Sequence, residues 1–376
     1  MIYIKYRRGI LGKSNVVVMF GGNSVERDVS IISAIQVINA INKDKYNVIC
    51  VFLTEDYRFL ENKNFDKIDT FKGKIKGNEV SFIRNKKGVY LSYNNLLKKK
   101  IKVDFVMPIV HGKNVEDGVI AGFLETLNIP YSSCSVLTSS VLQNKHYTKV
   151  ILDYYNIKNV RHEYILEEEW IDKSNECLER IKKMNFPLIV KAVSLGSSIG
   201  IFKVKSEEDL FWALSTAFKY DKGVIVEECL EEYREYNQAI VKGIVSSIEE
   251  VKGDKDFLTF KNKYESSNVK KVFPADISND LKDEINSITK KIALIFQIKG
   301  VVRVDYLYDE KEDILYVNEI NTIPGSLAFY LFDSLSFSNL IDLLIEDGIK
   351  YQYMEKLKVS HFDSNILNNI SGFKVK

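Results

Sequence analysis

The chain has 376 residues, of which 45% are hydrophobic and 28% are charged, and its formal net charge is +2. This length predicts two or three domains, and the composition is that of a folded globular protein. The small net charge gives no electrostatic case for nucleic acid, and four scattered cysteines without a C-x-x-C pair argue against a zinc site or disulfides.

Two features of the sequence argue against secretion and membrane insertion. Residues 1–13 are basic but lack the continuous apolar segment of a signal peptide. No apolar run approaches the roughly 18 residues that a helix needs to span a bilayer. We therefore expect a cytoplasmic protein with no membrane partner.

The first predicted elements are a strand, a helix and a strand. Residues 15–20 are a buried-type strand that ends at Gly21-Gly22, a helix with isoleucines at helical spacing follows, and residues 48–53 form the next strand. This order favours a parallel α/β sheet. Glu26 follows Asn23 by three residues, so it is either a helix-capping residue or a functional carboxylate.

The next stretch ends at a second candidate functional residue. Residues 55–100 are rich in lysine and asparagine, with weak strand signals at 79–83 and 89–93, and we interpret them as an insertion without visible chemistry. A parallel-type strand at 104–110 then leads to His111. Because open α/β sheets bind ligands beyond the carboxyl ends of their strands, Glu26 and His111 predict one wall of a pocket.

A glycine- and serine-rich loop follows the small-residue joint at 132–135. A predicted strand ends at Lys191, the loop occupies residues 194–200, and another strand begins at Ile201. This strand–loop–strand order differs from a Walker P-loop. The loop is either a plain hairpin turn or a cover for phosphates, and Lys191 at the strand end favours the phosphate interpretation.

Farther along the chain, residues 223–228 predict a strand that leads into Cys229-Leu230, and residues 241–251 predict a pair of strands. Lys263-Tyr264 lies in a polar segment. This segment is either an ordinary exposed loop or a lid over a site.

The last strong pattern is a predicted antiparallel hairpin of residues 301–307 and 316–321. Symmetric pairing about its acidic turn sets Asp305 opposite Glu319, with Cβ atoms roughly 4.5–5.5 Å apart. A cation would relieve the repulsion, and Mg²⁺ takes carboxylate oxygens together with phosphates. The alternative is a solvated acidic hairpin. The magnesium–phosphate site is favoured by other residues at the same end: Arg303, Asn321 and Ile323-Pro324-Gly325.

An ordered set of motifs resembles the D-alanine–D-alanine ligases of the ATP-grasp superfamily. The motifs are Gly21-Gly22-Asn23-Ser24-Val25-Glu26-Arg27-Asp28-Val29-Ser30, His111-Gly112 with Glu116-Asp117-Gly118, Gly196-Ser197-Ser198-Ile199-Gly200, Arg303-Val304-Asp305 and Glu319-Ile320-Asn321-Thr322-Ile323-Pro324-Gly325. The resemblance implies an α/β fold with ATP sandwiched between two grasp subdomains. The implied parts are an N-terminal parallel α/β domain (1–134), a central subdomain (135–226), a C-terminal subdomain (227–350) and a tail of unknown role (351–376).

The resemblance also implies an activity. The protein would be an ATP-dependent carboxylate–amine ligase that joins two D-amino acids, D-alanine first, through an acyl phosphate for peptidoglycan synthesis. Its cofactors would be ATP and two Mg²⁺ ions, with Mn²⁺ as a substitute, and it could form a homodimer. Two alternatives stay open: a ligase with D-serine or D-lactate as acceptor, and a non-catalytic ATP-binding regulator.

Site residues follow from the resemblance, position by position. The implied ATP ligands are Lys145, Lys191 and Ser198 at the phosphates, Glu227, Cys229 and Leu230 at adenine, and Glu235 at the ribose. The implied metal ligands are Asp305, Glu319 and Asn321. The implied catalytic residues are Glu26, Ser197, Tyr264 and Arg303. The implied substrate-binding residues are Glu26, His111, Lys263, Arg303, Gly325, Tyr330 and Leu331. The family has a small hydroxyl residue where this chain has Tyr330, so the acceptor is open.

Overall fold

The computed structural model describes residues 13–94, 99–197, 199–252 and 270–359, together with residues 362 and 364. Within these residues the strands form three sheets, of seven, four and five strands. Helices cover the sheets, which confirms the α/β fold class. The division of the chain at residues 134, 226 and 350 stays a prediction.

The N-terminal sheet combines a parallel centre with an antiparallel extension. Its strands are β1 (Ser14–Gly21), β2 (Tyr46–Leu53), β3 (Phe59–Glu61), β4 (Asn78–Asn85), β5 (Gly88–Tyr93), β6 (Lys100–Val103) and β7 (Phe105–Ile109). They lie in the order β6-β5-β4-β3-β2-β1-β7, and β1 is parallel to both β2 and β7. The chain between β2 and β3 is too short for a parallel crossover, so β3 turns back antiparallel. The weak strand signals after residue 55 therefore belong to this sheet.

The N-terminal core lies between this sheet and its helices. These helices are α1 (Arg27–Ala40) and α2 (Val119–Thr126). The apolar positions that predicted α1 are mostly buried, among them Ile31, Ala34 and Ile38. The helix places its first turn beside the carboxyl ends of β1 and β7, where the pocket wall was expected.

The central sheet is wholly antiparallel. Its strands are β8 (His162–Leu166), β9 (Leu188–Ala192), β10 (Ile201–Val204) and β11 (Gly223–Glu228), in the order β10-β9-β11-β8. The chain reaches this sheet through α3 (Val136–Gln143) and α4 (Lys145–Tyr154), and α5 (Glu167–Ile181) and α6 (Glu207–Ala217) cover one face. The loop between β9 and β10 is the glycine- and serine-rich segment, so its strand–loop–strand context is confirmed.

The C-terminal sheet carries the acidic hairpin. Its strands are β12 (Arg234–Val241), β13 (Ile244–Lys252), β14 (Lys270–Val272), β15 (Val301–Asp309) and β16 (Ile314–Asn321), and α7 (Asn279–Ile295) packs on one face. They lie in the order β14-β13-β12-β15-β16. The prediction of two strands within 241–251 is wrong, because Lys242 and Gly243 with positive φ turn the chain and the partner strand precedes them.

The chain finally returns to the N-terminal core. Helix α8 (Phe337–Lys356) buries Leu340, Ile341 and Leu344 in the same hydrophobic cluster as strand β1. The short helical segment before it, Gly325–Leu331, contributes Leu327 and Ala328 to that cluster. This packing fixes the C-terminal end of β16 against the first domain. None of the described helices has the combination of length and apolar character that a membrane crossing requires.

Candidate active site

A cleft of about 730 Å³ lies between the central and C-terminal sheets. This volume falls in the range of small-molecule sites. The cleft collects candidate nucleotide and metal residues from both sides: Lys145, Lys191, Glu227, Cys229, Leu230, Glu235, Asp305 and Glu319. The structure thus brings together side chains that are far apart in the sequence.

Lys145 spans the cleft from the first turn of α4. Its Nζ donates to the carbonyl oxygen of Leu195 at 2.5 Å and lies 3.1 Å from the Glu319 carboxylate on β16. One ammonium therefore contacts both the glycine- and serine-rich loop and the acidic hairpin. A positive charge between these two elements is well placed to meet a phosphate.

Glu227 is a buried carboxylate held between two buried lysines. Lys191 Nζ lies 2.6 Å from its Oε2, and Lys149 Nζ lies 3.3 Å from its Oε1. Burial would raise the pKa of the Glu227 carboxyl, but the two ammonium groups outweigh burial and lower the pKa to about 2. The carboxylate is charged near neutral pH and can only accept hydrogen bonds.

Two details complete this end of the cleft. Glu227 Oε1 is buried and contacts Lys149 Nζ at 3.3 Å, and a carboxylate oxygen with two lone pairs can accept a further hydrogen bond from a ligand. The Cys229 N–H donates to the Pro187 carbonyl at 2.9 Å, which ties the backbone after β11 to the residue that precedes β9. Sequence reasoning did not identify Lys149 as a site residue, although it follows Lys145 by four residues and so lies on the same face of the helix.

The glycine- and serine-rich loop contacts the first domain through Glu26. The Ser197 hydroxyl donates to Glu26 Oε1, and Ser197 itself has a left-handed φ of 53°. A Cβ on Gly112 or Gly196 would stand 2.6 or 2.9 Å from Glu26 Oε2, so a side chain at either position would displace the Glu26 carboxylate. Glu26 makes no side-chain cap to α1, and the capping alternative is wrong. Ser198 lies outside the described residues.

His111 is buried next to this contact, and burial lowers the pKa of its imidazole to about 4. The ring is therefore neutral near neutral pH, and it can offer a substrate one N–H donor but no positive charge. Sequence reasoning expected His111 in the pocket wall without assigning its charge.

Glu116 joins the His111 loop to the end of β16. Its carboxylate accepts from the Gly112 N–H at 2.9 Å and from the Thr322 hydroxyl and the Ile323 N–H, each at 2.8 Å. Burial raises the pKa of Glu116 to about 7, since the three donors only partly offset it. Glu116 stood in a motif but had no predicted role.

Asp305 lies directly opposite Glu319, as predicted. The symmetric register itself is wrong nearer the turn, because a bulge shifts the pairing by one residue and sets Tyr306 opposite Val317. Asp305 accepts two hydrogen bonds from the Arg303 guanidinium, at 2.6 and 2.7 Å, and one from the Asn321 amide at 3.0 Å. Across the part of the chain that the structure describes, no three carboxylate, imidazole or thiol groups converge on a metal position. The donor set is two carboxylates and one amide, which suits a hard cation that shares phosphate oxygens.

The segment that follows β16 is strained. Ser326, Leu327 and Ala328 have φ of 54°, 53° and 46°, a left-handed conformation that costs such residues roughly 1–2 kcal/mol each. Burial of Leu327 and Ala328 holds the segment in place. A Cβ on Gly325 would meet nothing within 4 Å, so space lies in front of this residue.

Tyr330 stands at the edge of that space. It lies close enough to the Arg303 guanidinium to raise the pKa of that group, and Lys271 Nζ lies 4.8 Å from the centre of its ring. Lys271 was missed, because nothing in the sequence brings β14 beside residue 330. Leu331 is buried, and the predicted lid residues Lys263 and Tyr264 lie outside the described residues.

Comparison with known proteins gives matches across most of the chain. Residues 15–134 match the family described as "D-ala D-ala ligase N-terminus", and residues 151–354 match "D-ala D-ala ligase C-terminus". A D-alanine–D-alanine ligase of Thermosipho africanus is 36% identical over 94% of this chain and 98% of its own length. A D-alanine–D-alanine ligase of Caldicellulosiruptor bescii is 30% identical over 92% and 97%.

Solved structures of ligases also match most of this chain. The D-alanine–D-alanine ligase of Coxiella burnetii has a TM-score of 0.79 at 26% identity, and it covers 92% of this chain and 96% of its own. The VanG D-Ala:D-Ser ligase of Enterococcus faecalis has a TM-score of 0.78 at 28% identity, covering 90% and 100%.

Proposed function

Because this chain belongs to the D-alanine–D-alanine ligase family and is an ATP-dependent ligase, we propose that it joins two D-alanine molecules through an acyl phosphate. The product serves cell-wall peptidoglycan synthesis. One observation carries the proposal: the hydrogen bond from Ser197 to Glu26 closes the glycine- and serine-rich loop onto the first domain. This contact joins the nucleotide cleft to the wall where an amino acid would lie.

The nucleotide takes the cleft between the two antiparallel sheets. Lys145 and Lys191, with Ser198 in the loop above them, bind its phosphates. Glu227 accepts from the adenine amino group through the lone-pair capacity of Oε1 that the contact with Lys149 does not use. The backbone of Cys229 and Leu230 borders the base. Glu235, which also lines the cleft, holds the ribose.

The hairpin residues fit two Mg²⁺ ions, for which Mn²⁺ can substitute. Asp305, Glu319 and Asn321 would hold the ions together with phosphate oxygens, and the bound ions would neutralise phosphate charge. Arg303 and Lys145 supply positive charge to these same carboxylates in the structure described above. The presence of these two cationic side chains beside Asp305 and Glu319 supports the proposal that the two carboxylates bind metal ions.

The chain positions the substrates and compensates charge without forming a covalent enzyme intermediate. Glu26 binds the amino group of the first D-alanine, and the neutral His111 donates one N–H to its carboxylate. ATP transfers its terminal phosphoryl group to that carboxylate and leaves as ADP. The amine of the second D-alanine then attacks the carbonyl carbon of the acyl phosphate, and phosphate leaves as the tetrahedral intermediate collapses to the amide. Arg303 and the Gly325 N–H stabilise the charge on the tetrahedral oxygen. Tyr264 and Ser197, acting with Glu26, keep water from the acyl phosphate.

The acceptor pocket favours a small D-amino acid. Lys263 and the Leu331 N–H bind the acceptor carboxylate, and Tyr330 supplies a hydroxyl near Arg303. The tyrosine ring leaves less volume than a small hydroxyl residue would. D-Serine is the second candidate acceptor, because a structural neighbour is a D-Ala:D-Ser ligase. D-Lactate is a weaker candidate, and a silent regulator would not need the Ser197–Glu26 contact.

An acceptor panel tests this function directly. The purified protein is given ATP, Mg²⁺, D-alanine and a second D-amino or D-hydroxy acid, and ADP release and the mass of the product are measured. We expect D-alanyl-D-alanine as the main product, with Glu319→Gln as the inactive control. ADP release without a dipeptide, or no use of ATP, would contradict the proposal. We also propose a cytoplasmic homodimer, which light scattering after size exclusion would test.

A further inference from the structure

Lys149 is a buried charge that contacts Glu227 and has no assigned part in binding the nucleotide or the substrates. Its side chain is 2% exposed, and it does not line the cleft, whereas Glu227 and Lys191 both do. Its Nζ lies 3.3 Å from the Glu227 carboxylate. Because Lys149 does not line the cleft, it can affect a bound nucleotide only through its contact with Glu227.

The surroundings of Lys149 fix its ammonium in place. The Nζ donates to the Val160 carbonyl at 3.3 Å and to Asn159 Oδ1 at 3.4 Å, both just before strand β8. Helix α4 supplies the lysine, so two elements hold it. Lys191 differs, because it lines the cleft and is expected to turn to a phosphate when the nucleotide binds.

That difference leaves Lys149 as the lasting partner of Glu227. With Lys191 turned to a phosphate, the carboxylate would keep only Lys149 within ion-pair distance among the lysines that hold it in this structure. A buried carboxylate without a counter-ion takes up a proton, because a lone charge in the interior is costly. The other titratable groups that face this pair are His162 on β8 and Asp153 on α4.

We propose that Lys149 is a positioning residue that keeps Glu227 charged and thereby restricts the cleft to a purine with a 6-amino group. The inference rests on the proposed contact between Glu227 and adenine. A charged carboxylate only accepts hydrogen bonds, so it pairs with the 6-amino group of adenine and repels a 6-oxo group. A protonated carboxyl could donate to a 6-oxo group, and the discrimination would fall.

The test compares ATP with inosine triphosphate, which carries a 6-oxo group. Steady-state kcat and KM are measured for both nucleotides with saturating D-alanine, in the wild type and in Lys149→Met. We expect the variant to lose about tenfold or more of the ATP preference in kcat/KM, mainly through KM, because a lost hydrogen-bond match acts on binding. The kcat at saturating ATP should stay within about threefold, since Lys149 touches no phosphate.

Three further variants keep the test decisive. Lys149→Arg retains the charge and should retain most of the ATP preference. Lys299→Met removes a half-buried lysine, which lies over the Tyr131 ring at 5.0 Å and does not line the cleft, and should leave the preference unchanged. If Lys149→Met does not fold, Glu227→Gln is measured instead. Its amide can donate to a 6-oxo group, so kcat/KM for inosine triphosphate should rise relative to that for ATP.

An unchanged nucleotide preference in folded Lys149→Met, or in Glu227→Gln when the first variant fails to fold, would overturn the inference. A fall in kcat with both KM values constant would also overturn it. A wild-type protein that does not use ATP would instead refute the proposed function.

Discussion

Glu116→Gln is the most informative perturbation of the fold around the site. The change keeps the size of the side chain and removes its charge. The amide oxygen can still accept from Thr322 and Ile323, but the amide NH₂ then faces the Gly112 N–H, and two donors oppose each other. Leaving one buried donor unpaired costs about 1–3 kcal/mol, so we expect this loss in the free energy of unfolding at acidic pH.

The pH dependence gives a sharper expectation. Burial raises the pKa of Glu116 from 4.5 to about 7, so the folded state binds this proton more tightly than the unfolded state. The resulting stabilisation is fully present below pH 4.5 and is lost as the pH rises through 7. The shift corresponds to about 3 kcal/mol as an order of magnitude. Glutamine does not titrate, so the variant lacks this dependence, and the gap between wild type and variant should shrink as the pH rises.

The assay is urea unfolding followed by circular dichroism over this pH range, for wild type, Glu116→Gln and the exposed control Glu79→Gln. The control should stay within about 0.5 kcal/mol of wild type throughout. Parallel pH curves for wild type and Glu116→Gln would refute the reasoning. The same variant should also lower kcat, because Glu116 ties the His111 loop to the segment before Gly325 and small misplacements are costly in catalysis.

Three further predictions concern the reaction. Glu319→Gln should abolish ADP release in a coupled assay and keep the wild-type circular dichroism spectrum, whereas Asp305→Asn should also lose stability, because it leaves the Arg303 guanidinium without its carboxylate. D-Lactate should compete poorly with D-alanine near neutral pH, as measured by product mass. Tyr330→Ser should broaden the size of accepted D-amino acids, and Lys263→Met should raise the acceptor KM while sparing the first substrate.

The outcomes that contradict these predictions are specific. Full activity in Glu319→Gln would remove the metal assignment. Efficient depsipeptide formation near neutral pH would remove the expected amine selectivity, and acceptor choice that is identical in wild type and Tyr330→Ser would show that this ring does not limit the pocket.

Local patterns in the sequence determined the elements and the order of the motifs. Alternating β-branched residues around an acidic turn were enough to predict the hairpin. Asp305 lies opposite Glu319 as predicted, but a bulge next to Asp305, which no local pattern indicated, sets that pair. The strand before the glycine- and serine-rich loop was also predicted from a local pattern. Such features depend on residues that are close along the chain.

Only the tertiary structure decided which distant groups form ion pairs and hydrogen bonds with each other. The pairing of Glu227 with Lys149, and the bridge from Glu116 to Thr322 and Ile323, join residues whose separation no local period encodes. The pKa values of about 2 for Glu227 and about 7 for Glu116 follow from those neighbours. A carboxylate next to two ammonium groups and a carboxylate next to neutral donors look alike in a sequence, because burial and neighbouring charge exist only once the chain has packed.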